Sequence, residues 1–229
     1  MTVTVVGSGR SENIRQNETM YFANSSVVRC QDKTIRFGVV SAGIIDSDER
    51  LYDAPTQNYG DRETAFRIRI TKRNEILSKH YQTLYLVGSH GNKKQAKNYV
   101  KRATKCDKLV FISHRECYFF YVKTLLIFLR KNLYSKFLYK ELFRIIIQCV
   151  KLRVDKPSTG ICALIIALKN NSFNSKEIIL DGVGNPTHKN FHYSRELDTK
   201  NITWNNFHEG TDQKMLTAIR LCGGKLVVN

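Results

Sequence analysis

Lys156-Pro157-Ser158-Thr159-Gly160 runs directly into the apolar series Ile161-Cys162-Ala163-Leu164-Ile165-Ile166-Ala167-Leu168. Lys176-Glu177-Ile178-Ile179-Leu180 and the turn Asp181-Gly182 follow. The order reads as loop, helix, strand, turn. Pro157 suits a helix start, and Ser158 or Thr159 brings a side-chain oxygen that caps first-turn amides. Those amides then point into the preceding loop, where they favour an anion such as a phosphate. The small residues let a ligand approach the backbone closely. An ordinary capped helix packed on a sheet fits the same residues.

Outward from this unit, the length of 229 residues suits one α/β domain or a domain with a small annex. A hydrophobic fraction of 42% supplies a sizeable core, and 13 Gly with 3 Pro argue against disorder. The formal net charge of +17 predicts attraction to polyanions without choosing among nucleic acid, anionic lipid, acidic glycan and nucleotide. Cys30, Cys106, Cys117, Cys149, Cys162 and Cys222 form no Cys-x-x-Cys pair, and several lie in apolar runs. Reduced thiols in a reducing compartment are the expectation. Met1-Thr2-Val3-Thr4-Val5-Val6-Gly7 lacks the basic-then-apolar order of a signal peptide and is read as opening directly on a strand.

Val3 to Val6 followed by Gly7-Ser8-Gly9-Arg10-Ser11 is a strand and glycine turn, as at the start of a nucleotide-binding unit. The third glycine of Gly-x-Gly-x-x-Gly is missing, so a plain tight turn fits too. A second strand is expected within Tyr21 to Cys30, with Val27 to Gln31 as a further short strand, and Asn24 or Gln31 is a candidate to face a base or ribose. Phe37 to Ser41 is another strand. Asp46-Ser47-Asp48 beyond it has the spacing of a metal-holding carboxylate pair, and also the look of a solvated loop. Alternation places a strand at Ala65 to Ile70. Thr83 to Gly88 and Lys108 to Ser113 read as strands, and Asn92 to Arg102 as a basic helix. His90 and His114 follow strands, where ligands gather in open α/β sheets.

Cys117 to Arg153 mixes large apolar residues with Lys123, Arg130, Lys131, Lys136, Lys140, Arg144, Lys151 and Arg153. It reads as one or two helices, an insertion or lid on a single domain spanning 1–229. No apolar stretch reaches the ~18 residues of a spanning helix. Three readings stay open: an amphipathic pair on an anionic bilayer, sheet-covering helices with snorkelling lysines, and a grip on single-stranded nucleic acid. Aliphatic helical spacing and the lack of a zinc-finger, RNA-recognition or KH signature disfavour nucleic acid. Further on, His188, His192 and His208 share a loop with Phe191, Tyr193, Trp204 and Phe207. Their spacing matches no metal motif, which makes acid–base or phosphate contact the more attractive role. Thr211 to Leu221 reads as a helix and Lys225 to Val228 as a last strand.

Taken in order, these stretches resemble the bacterial sialyltransferases that build lipooligosaccharide from CMP-sialic acid on a single Rossmann-like domain. Val5-Val6-Gly7-Ser8-Gly9-Arg10-Ser11 stands where that family has a Gly-Asn-Gly-Pro-Ser type loop, and Val28-Arg29-Cys30-Gln31 where it has Phe-Arg-Cys-Asn. Ser158-Thr159-Gly160, the apolar helix and Lys176-Glu177-Ile178-Ile179-Leu180-Asp181-Gly182 match its Thr-Ser-Gly, Ala- and Leu-rich helix and Lys-Glu-Ile-Tyr-Leu-Ser-Gly. His208 precedes Thr211-Asp212-Gln213-Lys214-Met215-Leu216 much as the family's catalytic histidine precedes Thr-Asp-x-Lys-x-Leu. Residues 46–150 carry little of the likeness. Ser8, Gln31 and Lys156-Pro157 depart from the pattern and leave the transferred sugar open, Kdo being one other CMP-activated acidic sugar.

The resemblance implies a mostly parallel, Rossmann-like sheet flanked by helices, in the GT-A-like variant of sialyltransferases. It implies inverting transfer from a CMP-sugar to a glycan or glycolipid hydroxyl. No tightly bound cofactor and no metal are expected, because the donor's leaving group is a single phosphate. His208 would be the base, with Tyr193 and His192 as donors to the departing phosphate. Gly7, Ser8, Gly9 and Gln31 would hold the nucleotide, and Lys156, Ser158, Thr159 and Gly160 the phosphate or sugar carboxylate. A homo-oligomer, an anionic membrane surface as partner, no nucleic acid, and a cytoplasmic place peripheral to the inner face of a bacterial membrane complete the expectation. The rivals are a non-catalytic nucleotide- or polyanion-binding module and a metal-dependent glycosyltransferase using Asp46 and Asp48. A nuclease would need a carboxylate cluster that the sequence does not present.

Overall fold

The computed structural model describes residues 2–7, 19–54, 61–88, 93–129, 135–150, 156–170, 177–183, 209–221 and 226–228. Among these, β1 (Val3–Val6), β2 (Thr19–Ala23), β3 (Thr34–Ser41), β4 (His80–Val87), β5 (Lys105–Ile112), β6 (Ile178–Asp181) and β7 (Leu226–Val228) form one sheet. Its order is β5-β4-β3-β2-β1-β6-β7, and every pairing is parallel. The expected α/β, Rossmann-like architecture is present, with a wholly parallel sheet where a mostly parallel one was expected.

The strands are β-branched and buried because both faces are covered. Val3, Val5, Tyr21, Ala23, Val39 and Val87 face one cluster, whereas Val6, Phe22, Val40 and Leu86 face the other, as the two-residue period requires. The chain adds β2 to β5 in one direction, then returns to lay β6 and β7 on the far side of β1. Right-handed crossovers place helices on opposite faces for the two directions. Accordingly Ile76 of α2 (Arg62–Leu77) and Val100 of α3 (Lys93–Ala103) pack in one cluster. The opposite cluster is built from α4 (His114–Leu129), α5 (Lys136–Val150), α6 (Thr159–Asn170) and α7 (Glu209–Leu221). A short α1 (Asp48–Asp53) precedes α2.

Two expected strands are helical. Asn24–Arg29 is a 3-10 helix, not the entry to a strand at Val27 to Gln31. Parallel pairing of β2 with β3 forces the chain back to the amino edge of the sheet, and this turn of helix makes the return with Val27 buried beneath it. Ala65 to Ile70 belongs to α2, whose buried positions Ala65, Ile68, Lys72 and Ile76 recur at helical spacing over a window longer than the alternation. Asp61 starts that helix by accepting from the Thr64 amide (2.8 Å) and hydroxyl (2.6 Å), which holds its carboxyl below the usual range.

Residues 117–153 supply two helices whose inner faces join the core through Tyr118, Tyr121, Leu125, Leu138 and Ile145. Ile161 to Leu168 of α6 are buried without interruption. A helix buried on all sides belongs between two layers, here between the sheet and the outer helices. Asn170 Nδ2 at its far end donates to the hydroxyls of Tyr21 (3.2 Å) and Tyr85 (2.9 Å), fastening α6 across the sheet.

Candidate functional site at the strand reversal

The strand order reverses between β1 and β6. In open parallel sheets, the crevice beyond the carboxyl ends at such a reversal is where ligands bind. Gly7 leaves β1 there, and Asp181 ends β6. Gly7 N–H donates to Asp181 O at 2.7 Å. A Cβ on Gly7 would stand 2.3 Å from Gly182 O, so only glycine lets the end of β1 come this close to the turn after β6. Gly182 itself has φ +66, a left-handed conformation that glycine takes without strain.

Beneath the turns lies a buried ion pair. Arg29 Nη1 is 2.7 Å from Asp181 Oδ1, and their side chains are 4% and 0% exposed. The same nitrogen is 3.5 Å from Gly7 O, and Ser26 Oγ donates to Val6 O at 2.9 Å. The 3-10 helix therefore anchors the end of β1 from below. Charges this deep are retained only when paired.

The amino end of α6 comes to the same edge, because a crossover helix runs antiparallel to its strands. Ser158 is the cap: its Oγ accepts from Ile161 N–H at 3.3 Å, and its carbonyl accepts from Cys162 N–H at 2.9 Å. Pro157 is buried one residue ahead of the cap, and Lys156 is exposed. Thr159 and Gly160 hold the first helical positions, whose amides have no partner within a helix. A Cβ on Gly160 would lie 3.1 Å from Val183 Cγ1, which seats the helix start against the β6 turn. Gly7, Ser158, Thr159 and Gly160 thus meet at one end of the sheet.

Asp212 in α7 closes the arrangement. Its Oδ1 accepts from Ser158 N–H at 2.9 Å, and it is buried. The helix that follows His208 in the sequence is thereby tied to the Ser-Thr-Gly turn. Replacing Asp212 with alanine should cost ~1–2 kcal/mol in thermal unfolding, because a buried carboxylate acceptor is lost from the half-buried Ser158 amide. Asp212→Asn keeps an acceptor oxygen and should recover most of that loss. Equal melting of both variants and the parent would remove the positioning role.

Gln31 does not join this group. It is exposed, in the link that starts β3 at the opposite edge of the sheet. There Lys79 Nζ donates to Cys30 O and Asp32 O at 2.8 and 2.9 Å, and His80 N–H donates to Lys33 O at 3.0 Å. Asn24 stands at the carboxyl end of β2, beside the β1 turn, with φ 50, the only non-glycine among the described residues with positive φ. Its Oδ1 accepts from Ser41 N–H at 2.9 Å. Ser8, Gly9, His192, Tyr193 and His208 lie outside the described residues, as does His90.

His114 starts α4 beyond β5, three to four strands from β1, on the order of 15–19 Å at the usual strand spacing. Asp46 and Asp48 face arginines: Arg50 lies 3.6 Å from Asp46, Arg73 pairs with Asp48, and Arg73 Nη1 also donates to Asp46 O at 3.0 Å. Among the described residues, no group of three or more His, Cys, Asp or Glu could hold a metal ion. Cys162 and Cys117 are buried free thiols, and their mutual hydrogen bond together with burial pushes the Cys162 thiol well above its ordinary range. A thiol held neutral in this way is no nucleophile.

Sequence reasoning passed over Arg29, Asp181 and Asp212 as functional groups. Asp181 had a legible signal, a carboxylate closing the otherwise apolar run Ile178-Ile179-Leu180. Asp212 carried none, since its partner lies 54 residues away. Comparison with known proteins finds no matching family model, curated protein or solved structure.

Proposed function

We propose that this chain is an inverting glycosyltransferase that moves sialic acid, or a related acidic sugar, from a CMP-sugar to a glycan hydroxyl. One observation carries the reading: Gly7 at the end of β1 and the start of α6 converge at the β1/β6 reversal, where the resemblance expects a nucleotide and its phosphate. At that helix start Ser158 caps the Ile161 amide, and the Thr159 and Gly160 amides lack a helical partner. The acceptor oxygen attacks the anomeric carbon, the bond from that carbon to the phosphate oxygen breaks, and CMP leaves with the electron pair. The acceptor's proton passes to His208. The Thr159 and Gly160 amides face the phosphate or the sugar carboxylate, a placement favoured at helix starts. Tyr193 and His192 are the proposed donors to the leaving phosphate. At the nucleotide end Asn24, of the two residues considered for contact with base or ribose, is the proposed one, because it stands at the carboxyl end of β2 beside β1 whereas Gln31 lies at the opposite edge. A divalent metal at Asp46 and Asp48 would have to displace Arg50 and Arg73.

The test is calorimetric titration of the full chain with CMP, followed by an assay of CMP release from CMP-sialic acid and CMP-Kdo with and without a glycan acceptor. CMP should bind, and acceptor should speed release from one donor in the presence of excess chelator. A chain that neither binds CMP nor hydrolyses either donor is better read as a polyanion-binding module. Release that stops with chelator returns the metal-dependent reading.

A further inference from the structure

We infer that the outward faces of α4 and α5 form a docking surface for an anionic lipid bilayer. This inference does not rest on sugar transfer. On α4, Phe119, Lys123, Leu126 and Ile127 are exposed at helical spacing, opposite the core residues Tyr118, Tyr121 and Leu125. Lys123 Nζ lies 4.6 Å from the Phe119 ring centroid, its stem along apolar surface. On α5, Lys136, Tyr139, Lys140, Phe143, Ile146 and Ile147 are exposed opposite Leu138 and Ile145. Phe119 is 56% and Phe143 65% exposed, more than ordinary scatter of surface hydrophobics accounts for in so short a segment.

Charge selects the occupant. From Tyr118 to Val150 the sequence has one acid, Glu141, and it is turned inward. Its carboxylate accepts from Arg144 at 2.6 and 2.8 Å and from Tyr121 Oη at 3.2 Å. Arg144 is therefore held by the fold, while Lys123, Lys136 and Lys140 are exposed on the outer face. The exposed acid of α4, Glu116, sits at the helix start with its carboxylate accepting from the Ser113 amide. A second copy across a two-fold interface would therefore set one predominantly basic face against another, which is unfavourable. Nucleic acid would use the lysines and leave Leu126, Ile127, Ile146 and Ile147 unsatisfied. An anionic lipid surface takes both, the aliphatic and aromatic side chains entering the headgroup boundary and the lysines meeting the phosphates. No helix among the described residues is long and apolar enough to cross a membrane, which fits a pair lying in the interface plane.

The experiment is flotation of the full chain with vesicles of equal parts phosphatidylglycerol and phosphatidylcholine, and with phosphatidylcholine alone. Binding should require the anionic lipid and weaken steeply as salt is raised. Lys136→Glu with Lys140→Glu should lower vesicle affinity by at least ~30-fold. Phe143→Ser should also lower it, with thermal unfolding unchanged because the ring is exposed. Absence of binding to anionic vesicles at low salt overturns the proposal, as does undiminished binding by both variants. A change of sedimentation from dimer to monomer in Phe143→Ser, without vesicle binding by the parent, assigns the face to a second copy instead. Single-strand binding lost with the lysines, again without vesicle binding, assigns it to nucleic acid.

Discussion

His208→Ala is expected to lower acceptor-dependent transfer by ~10²–10⁴-fold, the contribution of a positioned general base. CMP affinity should change little, because the proposed phosphate cradle comes from Thr159 and Gly160 at the start of α6 and from Gly7, and the role proposed for His208 is proton transfer alone. The two quantities separate the roles. Turnover measured at saturating acceptor reports the proton transfer, and calorimetry with CMP reports the cradle. Near-normal turnover at saturating acceptor would take His208 out of the mechanism while leaving the nucleotide site intact. Loss of CMP binding in the same variant would place His208 in the cradle.

Asp181→Ala should be the most destabilising single change near the site. It strands the Arg29 guanidinium at 4% exposure with its carboxylate partner gone, and breaking such a pair costs ~3–5 kcal/mol. For a chain of 229 residues, that corresponds to a fall in melting temperature of roughly 10 °C. Arg29→Met with Asp181→Leu removes both charges together and should melt closer to the parent, since a buried pair adds little over apolar packing. An Asp181→Ala protein that melts within ~1 kcal/mol of the parent would mean that water or another group satisfies Arg29, and that the β1 and β6 turns are not held by this pair. Gly7→Ala tests the same contact from the other side, through its clash with Gly182 O.

The β-branched run Val3 to Val6, the uninterrupted apolar run Ile161 to Leu168 and the heptapeptide Lys176 to Gly182 were legible in the chain because each encodes burial locally. They were enough for a parallel α/β sheet with a capped helix start. Helix over much of residues 117–153 was legible for the same reason, though whether as one helix or two was not, and the structure has two, α4 and α5. Where an expectation failed, a local pattern lost to a tertiary demand. Val27 and Val28 are good strand formers, yet parallel pairing of β2 and β3 required a crossover there, and they went into a 3-10 helix. The strand-like alternation at Ala65 to Ile70 yielded to a sixteen-residue helix with its own cap at Asp61.

The candidate site shows the same division more sharply. Gly7, Ser158, Thr159 and Gly160 could be named from residue type, because small residues and a hydroxyl before an apolar helix have a local meaning. Which groups share their end of the sheet depends on strand order, and strand order is set by long-range packing. That order sends Gln31 to the opposite edge, brings Asn24 beside the Gly7 turn, and leaves His114 several strands away. It also joins Arg29 to Asp181 and Asp212 to Ser158, partners far apart in the chain. A side chain's neighbours along the chain report its burial and its local geometry. Its partners across the fold, which set what a carboxylate or an amide can do, come into being only when β6 returns to lie beside β1.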